Sequence, residues 1–118
     1  MINRSLPGYN FDMAQGVSYD IDLSGQDGDR IRNLMYKGKP LDPSQKLKIA
    51  VNNYRAGGSN GYTMFKTTPI VYRSNREIRD MIIEYYSEHQ HLPSKPDNNW
   101  RIVPDSARKV LEAEAAAP

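Results

Sequence analysis

The clearest pattern is an alternation near the start: Val17, Tyr19, Ile21 and Leu23 are interleaved with Ser18, Asp20 and Asp22. A period of two puts one apolar face on a half-buried strand. Ser24-Gly-Gln-Asp-Gly-Asp29 is turn chemistry, so a hairpin into a second strand over residues 30–36 is expected. Lys37-Gly-Lys-Pro40 reads as another turn, Leu41 as part of a short strand, and residues 42–45 as a loop. Residues 46–52 alternate again and predict a strand with Leu47, Ile49 and Val51 inward.

The period then changes. Ile78, Met81, Ile82, Tyr85 and Tyr86 recur at helical spacing behind Ser74-Asn-Arg-Glu77, a capping-box pattern. These predict a helix over about 75–88 with that stripe in the core. His91-Leu-Pro-Ser-Lys-Pro96 breaks the chain, Trp100–Val103 reads as a short strand, and Pro104-Asp-Ser106 opens a last helix that frays into an alanine tail. The elements predict an α+β fold, a mixed, mainly antiparallel sheet of about four strands with helices packed on one side. Residues 1–10 read as a leader, 11–105 as the body, and 106–118 as terminal helix and tail.

Composition narrows the class. The chain has 118 residues, 38% hydrophobic and 25% charged, which suits one globular domain with a modest core. No run approaches a membrane span. No apolar signal-peptide core follows Met1-Ile-Asn-Arg, so the chain is either not exported or, as expected here, a piece of a longer precursor. Cysteine is absent, which excludes disulfides and thiolate metal sites. Sixteen basic and fourteen acidic residues leave a net charge of +2. The densest cluster, Lys37, Lys39, Lys46 and Lys48, reads as a solvated strand face, and no duplex nucleic acid partner is expected.

The segment Asn52-Asn-Tyr-Arg-Ala-Gly-Gly-Ser-Asn-Gly-Tyr62 carries the candidate chemistry. Gly57, Gly58 and Gly61 each cost about 1 kcal/mol against alanine inside a helix, so they point to a tight loop with φ > 0. Tyr62 at the loop's end is placed either to pack on the core or to stack on a flat ligand such as a nucleobase. Asn52 and Asn53 can bond loop backbone or ligand. Arg55 is a candidate phosphate contact, against a default of simple exposure. His89 and His91 sit at a helix end, where the macrodipole alone favours them, and no third ligand has metal-site spacing. Asp20 and Asp22 share one strand face and read as solvent-facing. A nucleophile with a base cannot be assembled, so no catalytic constellation is expected within the chain.

Together with Tyr9-Asn-Phe-Asp-Met-Ala-Gln-Gly-Val-Ser-Tyr-Asp-Ile-Asp-Leu23 and Asp97-Asn-Asn-Trp-Arg-Ile102, this loop resembles the substrate-binding C-terminal domain of the 5′-nucleotidase family. The nearest branch resembles the bacterial 2′,3′-cyclic-nucleotide 2′-phosphodiesterase/3′-nucleotidases. The likeness runs from about Tyr9 to about Val103 in the family's order. It implies that 11–105 is the latter part of that domain, and that the base is sandwiched between the rings of Phe11 and Tyr62. From the residues alone Phe11 is equally an apolar anchor for the leader. The family's acidic residue after the second aromatic falls at Thr67, a departure that suits a 2′- or 3′-phosphorylated ribose.

The resemblance further implies a secreted, periplasmic or cell-wall-associated hydrolase acting on 2′,3′-cyclic, 3′- or 5′-nucleotides. Two divalent metal ions and the catalytic residues would belong to an N-terminal metallophosphoesterase domain, with no cofactor in this chain. The earlier half of the binding domain, which carries arginine and asparagine contacts, has no counterpart here. The rival expectation is a non-enzymatic module that binds single-stranded nucleic acid or protein through the glycine loop. A third is a structural remnant without a ligand.

Overall fold

A computed structural model describes residues 10–91 and 93–116. The expected leader, apart from Asn10, and the last two residues of the tail lie outside the described residues. Two compact units make up the chain, Met1–Leu47 with Asn98–Pro118, and Lys48–Asp97.

In the first unit, β1 (Val17–Asp22) and β2 (Ile31–Tyr36) form the expected antiparallel hairpin, with a bulge between Ser18 and Asp20. The turn closes because Asp22 Oδ1 accepts from the Ser24 amide at 2.9 Å and its hydroxyl at 2.6 Å. A two-residue turn, Lys37-Gly38, then leads to β3 (Lys39–Pro40). Both turn residues have positive φ (50° and 75°), which is what the twist of a two-residue hairpin demands. The expected strand at Leu41 stops one residue short, although the Leu41 amide still donates to the Leu34 carbonyl at 2.9 Å. β4 (Trp100–Val103) lies parallel to β1 on its other side, giving the order β3-β2-β1-β4. The sheet is mixed and the fold α+β. α3 (Asp105–Ala116) follows β4 and packs on it.

The core of this unit is small. Tyr19 is 9% exposed, and its hydroxyl accepts from the Ala14 amide at 3.2 Å. Asn99 donates to the carbonyls of Ala14 (2.7 Å) and Val17 (2.9 Å), which ties the segment before β1 to the entry of β4.

Asp20 departs from its expected solvent-facing role. It is 7% exposed, gripped by Arg101 Nε at 2.7 Å and by Asn33 Nδ2 at 2.7 Å. The alternation placed Asp20 on the correct face, but Arg101 on the neighbouring strand covers it. First the Arg101 hydrogen bond and then that of Asn33 pull its carboxyl below the ordinary 3.8. A depressed folded value means the contribution to stability is present above the unfolded value and is lost as pH falls through the folded one. Thermal melts of the wild type should therefore drop steeply below about pH 4, and those of Asp20→Asn less steeply. Parallel pH profiles for the two proteins would contradict this.

The second unit holds α1 (Asn53–Ala56), two 3₁₀ turns (Ser59–Gly61 and Thr63–Thr67) and α2 (Ile78–His89). The strand expected over residues 46–52 is absent. Leu47 is half-buried, while Ile49 and Val51 are exposed rather than inward. Alternation records a preference for a half-covered sheet position, and among the described residues no strand pairs with this one.

α2 begins about three residues later than expected. The Ser74 hydroxyl accepts from the Arg76 amide at 3.1 Å, a local turn, and does not cap the helix. Glu77 is the N-cap, without a side-chain bond. Gln90 ends the helix in the left-handed conformation. The stripe Ile78, Met81, Ile82, Tyr85 and Tyr86 is exposed, against its expected place in the core. Helical periodicity reports a face suited to burial and does not supply what buries it.

Candidate functional site

The loop from Asn52 to Tyr62 is built by local bonds. Asn52 Oδ1 accepts from the Arg55 amide at 2.8 Å, so this asparagine is the N-cap of α1. Asn53 is the first helical residue and exposed, and its carbonyl accepts from the Gly57 amide at 3.0 Å.

The glycines differ in role. Gly57 has φ −73°, so the positive φ expected there is not found. It is the C-cap of α1 in ordinary helical conformation, a place other residues can occupy. Gly58 (φ 77°) and Gly61 (φ 85°) are left-handed, as is Asn60 (φ 54°) between them. Gly58 is buried, and a β-carbon there would lie 2.5 Å from Lys66 Cε and 2.9 Å from Lys66 Cγ. Gly58→Ala should lower stability by about 1–2 kcal/mol through left-handed strain, whereas Gly57→Ala should lie within ~0.5 kcal/mol of the wild type. Equal denaturation midpoints for the two variants would contradict these roles.

The left-handed residues reverse the chain and bring Tyr62 back beside Arg55. The Arg55 guanidinium lies 4.7 Å from the Tyr62 ring centroid and 5.6 Å from that of Tyr54. Arg55 is 7% exposed, so the default of an exposed arginine is overturned. Arginine tolerates such a place because its flat, weakly hydrated cation stacks on aromatic faces. Phe65, which the sequence did not single out, lies parallel to Tyr62 at 3° with centroids 6.0 Å apart. The aromatic at an i+3 position was the available signal. Tyr62 and Phe65 are both half-buried. Thr67 ends the second 3₁₀ turn, with its hydroxyl donating to the Met64 carbonyl at 3.3 Å.

Phe11 lies in the first unit. It is 54% exposed, and its ring meets Trp100 at 5.7 Å and 59°. Trp100 is thus its partner, a pairing that a separation of 89 positions hides from a sequence reading. The same unit carries a cleft of about 310 Å³ whose lining includes Ser18, Asp20, Asn33, Met35, Asn98 and Arg101.

His89 and His91 point to helix-end chemistry. His89 Nδ1 lies 2.8 Å from the Tyr85 carbonyl and its ring stacks on Tyr85 at 4.1 Å, while His91 Nδ1 meets the His89 carbonyl at 2.5 Å. Among the described residues no three His, Cys, Asp or Glu side chains converge as metal ligands, and no helix is long and apolar enough to cross a membrane.

The family model described as "5'-nucleotidase, C-terminal domain" matches residues 2–67, more than half of the chain. This chain belongs to that family. Relatives carry the likeness further along the sequence. The trifunctional nucleotide phosphoesterase protein YfkN of Bacillus subtilis is 36% identical over 93% of this chain and 8% of its own length. The 2′,3′-cyclic-nucleotide 2′-phosphodiesterase/3′-nucleotidase of Haemophilus influenzae is 38% identical over 88% of this chain and 18% of its own. The protein of the same name from Yersinia enterocolitica is 32% identical over 88% of this chain and 18% of its own. The chain therefore spans less than a fifth of these curated relatives, which are named as nucleotidases and phosphodiesterases. No solved structure matches it. The resemblance to the 5′-nucleotidase family drawn from the loop and the Tyr9–Leu23 segment is thus confirmed.

Proposed function

We propose that this chain is the base-gripping part of a nucleotide phosphoesterase that hydrolyses 2′,3′-cyclic, 3′- or 5′-nucleotides. The metal-dependent chemistry belongs to an N-terminal domain of the same, exported polypeptide. The observation that carries this reading is Tyr62, an aromatic ring set on a loop of fixed backbone and backed by a buried arginine, in a chain related to nucleotide phosphoesterases. By the family resemblance, Phe11 and Tyr62 are each assigned to stack on the base. Gly58 and Gly61 bring the backbone near base and ribose, with Asn53 at the rim. Asn52 and Gly57 serve by shaping the loop. Thr67 in place of a carboxylate leaves room for a phosphate on the 2′ or 3′ oxygen. Binding energy gathered at the base, away from phosphorus, orients the phosphate for attack.

Calorimetry on the full-length protein in EDTA, so that nucleotide is bound and not hydrolysed, with 3′-AMP and with a short oligoadenylate tests the reading. Stacking tolerates any base, so AMP and UMP should bind within about tenfold of each other. Mononucleotide affinity should fall little with added salt. Tighter binding of the oligonucleotide with a steep salt dependence would instead favour a single-strand-binding module and overturn the proposal.

A further inference from the structure

We propose that Arg55 is a positioning residue for the Tyr62 ring, acting on the bound base through that ring and not through the phosphate. The inference rests on the base-slot reading and deepens it. Four observations carry it.

Arg55 is one of four buried residues among those described; Gly58 is the other in its unit, and Tyr19 and Asp20 belong to the first unit. A cation taken out of water needs compensation, and here aromatic faces provide it. Its guanidinium carbon lies 4.7 Å from the Tyr62 ring centroid and 5.6 Å from that of Tyr54. Its backbone is fixed on both sides. The amide donates to Asn52 Oδ1 at 2.8 Å, and the carbonyl accepts from the Gly58 amide at 2.8 Å. The same Gly58 then turns left-handed and starts the reversal that returns the chain to Tyr62. The cap, the cation and the ring thus form one mechanical sequence. Phe65, parallel to Tyr62, limits the tilt of the ring further.

A ring held in this way is preorganised. A base that stacks on it orders no side chain on arrival, and the entropy of doing so is not subtracted from the affinity. Lysine keeps the charge but has no plane with which to lie on a ring. Methionine keeps an unbranched apolar stem and loses both charge and plane.

The experiment uses the full-length protein in three variants, Arg55→Met, Arg55→Lys and Tyr62→Ala, with 3′-AMP as the probe. Affinity is measured by calorimetry in EDTA, so that the probe is not hydrolysed, and Tm by melting. The Tyr62 ring resonances are followed with ¹³C-labelled tyrosine and assigned by their loss in Tyr62→Phe. Arg55→Met should weaken 3′-AMP binding about three- to tenfold and shift and broaden the Tyr62 ring signals. Arg55→Lys should recover part of the affinity. Wild-type affinity in Arg55→Met, with Tyr62→Ala weakened, overturns the inference and spares the base slot. Affinity lost equally in Met and Lys variants, in step with a lowered Tm, assigns Arg55 a purely structural role and also overturns it. Wild-type affinity in Tyr62→Ala sinks the base slot and this inference together.

Discussion

Tyr62→Ala should lower nucleotide affinity about 5- to 150-fold, because stacking contributes on the order of 1–3 kcal/mol per base. Tyr62→Phe keeps the ring and should stay within about threefold of the wild type, since stacking uses the face of the ring and not the hydroxyl. The loss should be similar for purine and pyrimidine nucleotides, since every base has a face to stack, and for every phosphate position, since stacking does not use the phosphate. The loop itself should survive the change. Its shape rests on the Asn52 cap and on the left-handed Gly58, Asn60 and Gly61. Titration calorimetry with matched melting curves reads both quantities. An affinity unchanged in Tyr62→Ala would remove the tyrosine from the site.

Chelation separates grip from chemistry. EDTA added to the full-length protein should abolish phosphoester hydrolysis, because bound metals generate the nucleophile and stabilise the charge on the transferring group. Nucleotide affinity should change little, since the proposed grip is stacking on the base and not coordination of the phosphate. Activity should return with added divalent metal. Binding lost in parallel with activity would mean that the metals hold the nucleotide and that the aromatic rings contribute little. Hydrolysis that persists in EDTA would contradict the metal-dependent assignment outright.

What the sequence made legible was local. The β1–β2 hairpin follows from a period-2 run beside turn residues, and α2 from a run of helical period. Tyr62 stands at the end of a tight loop, as the glycines imply. What stayed hidden needed a partner far along the chain or a conformation no pattern encodes. Asp20 reads as solvated until Arg101, 81 residues on, is laid across it. Residues 46–52 have the alternation of a strand, but a strand exists only where a neighbour accepts its hydrogen bonds. Ser74 has the capping-box identity, yet its hydroxyl is used two residues on. Gly57 and Gly58 are identical letters with opposite signs of φ, one closing a helix and the other starting the reversal. Arg55 is the largest such gap. Its burial follows from that reversal, which brings the Tyr62 ring back beside it.

The base slot is tested most directly by an amide-resolved NMR titration with 2′-, 3′- and 5′-AMP. Saturable shifts should centre on Phe11, Arg55 and residues 57–62, with the relative affinities reporting which phosphate position is preferred. A well-dispersed spectrum in which those residues stay still while nucleotide is added would contradict the base slot.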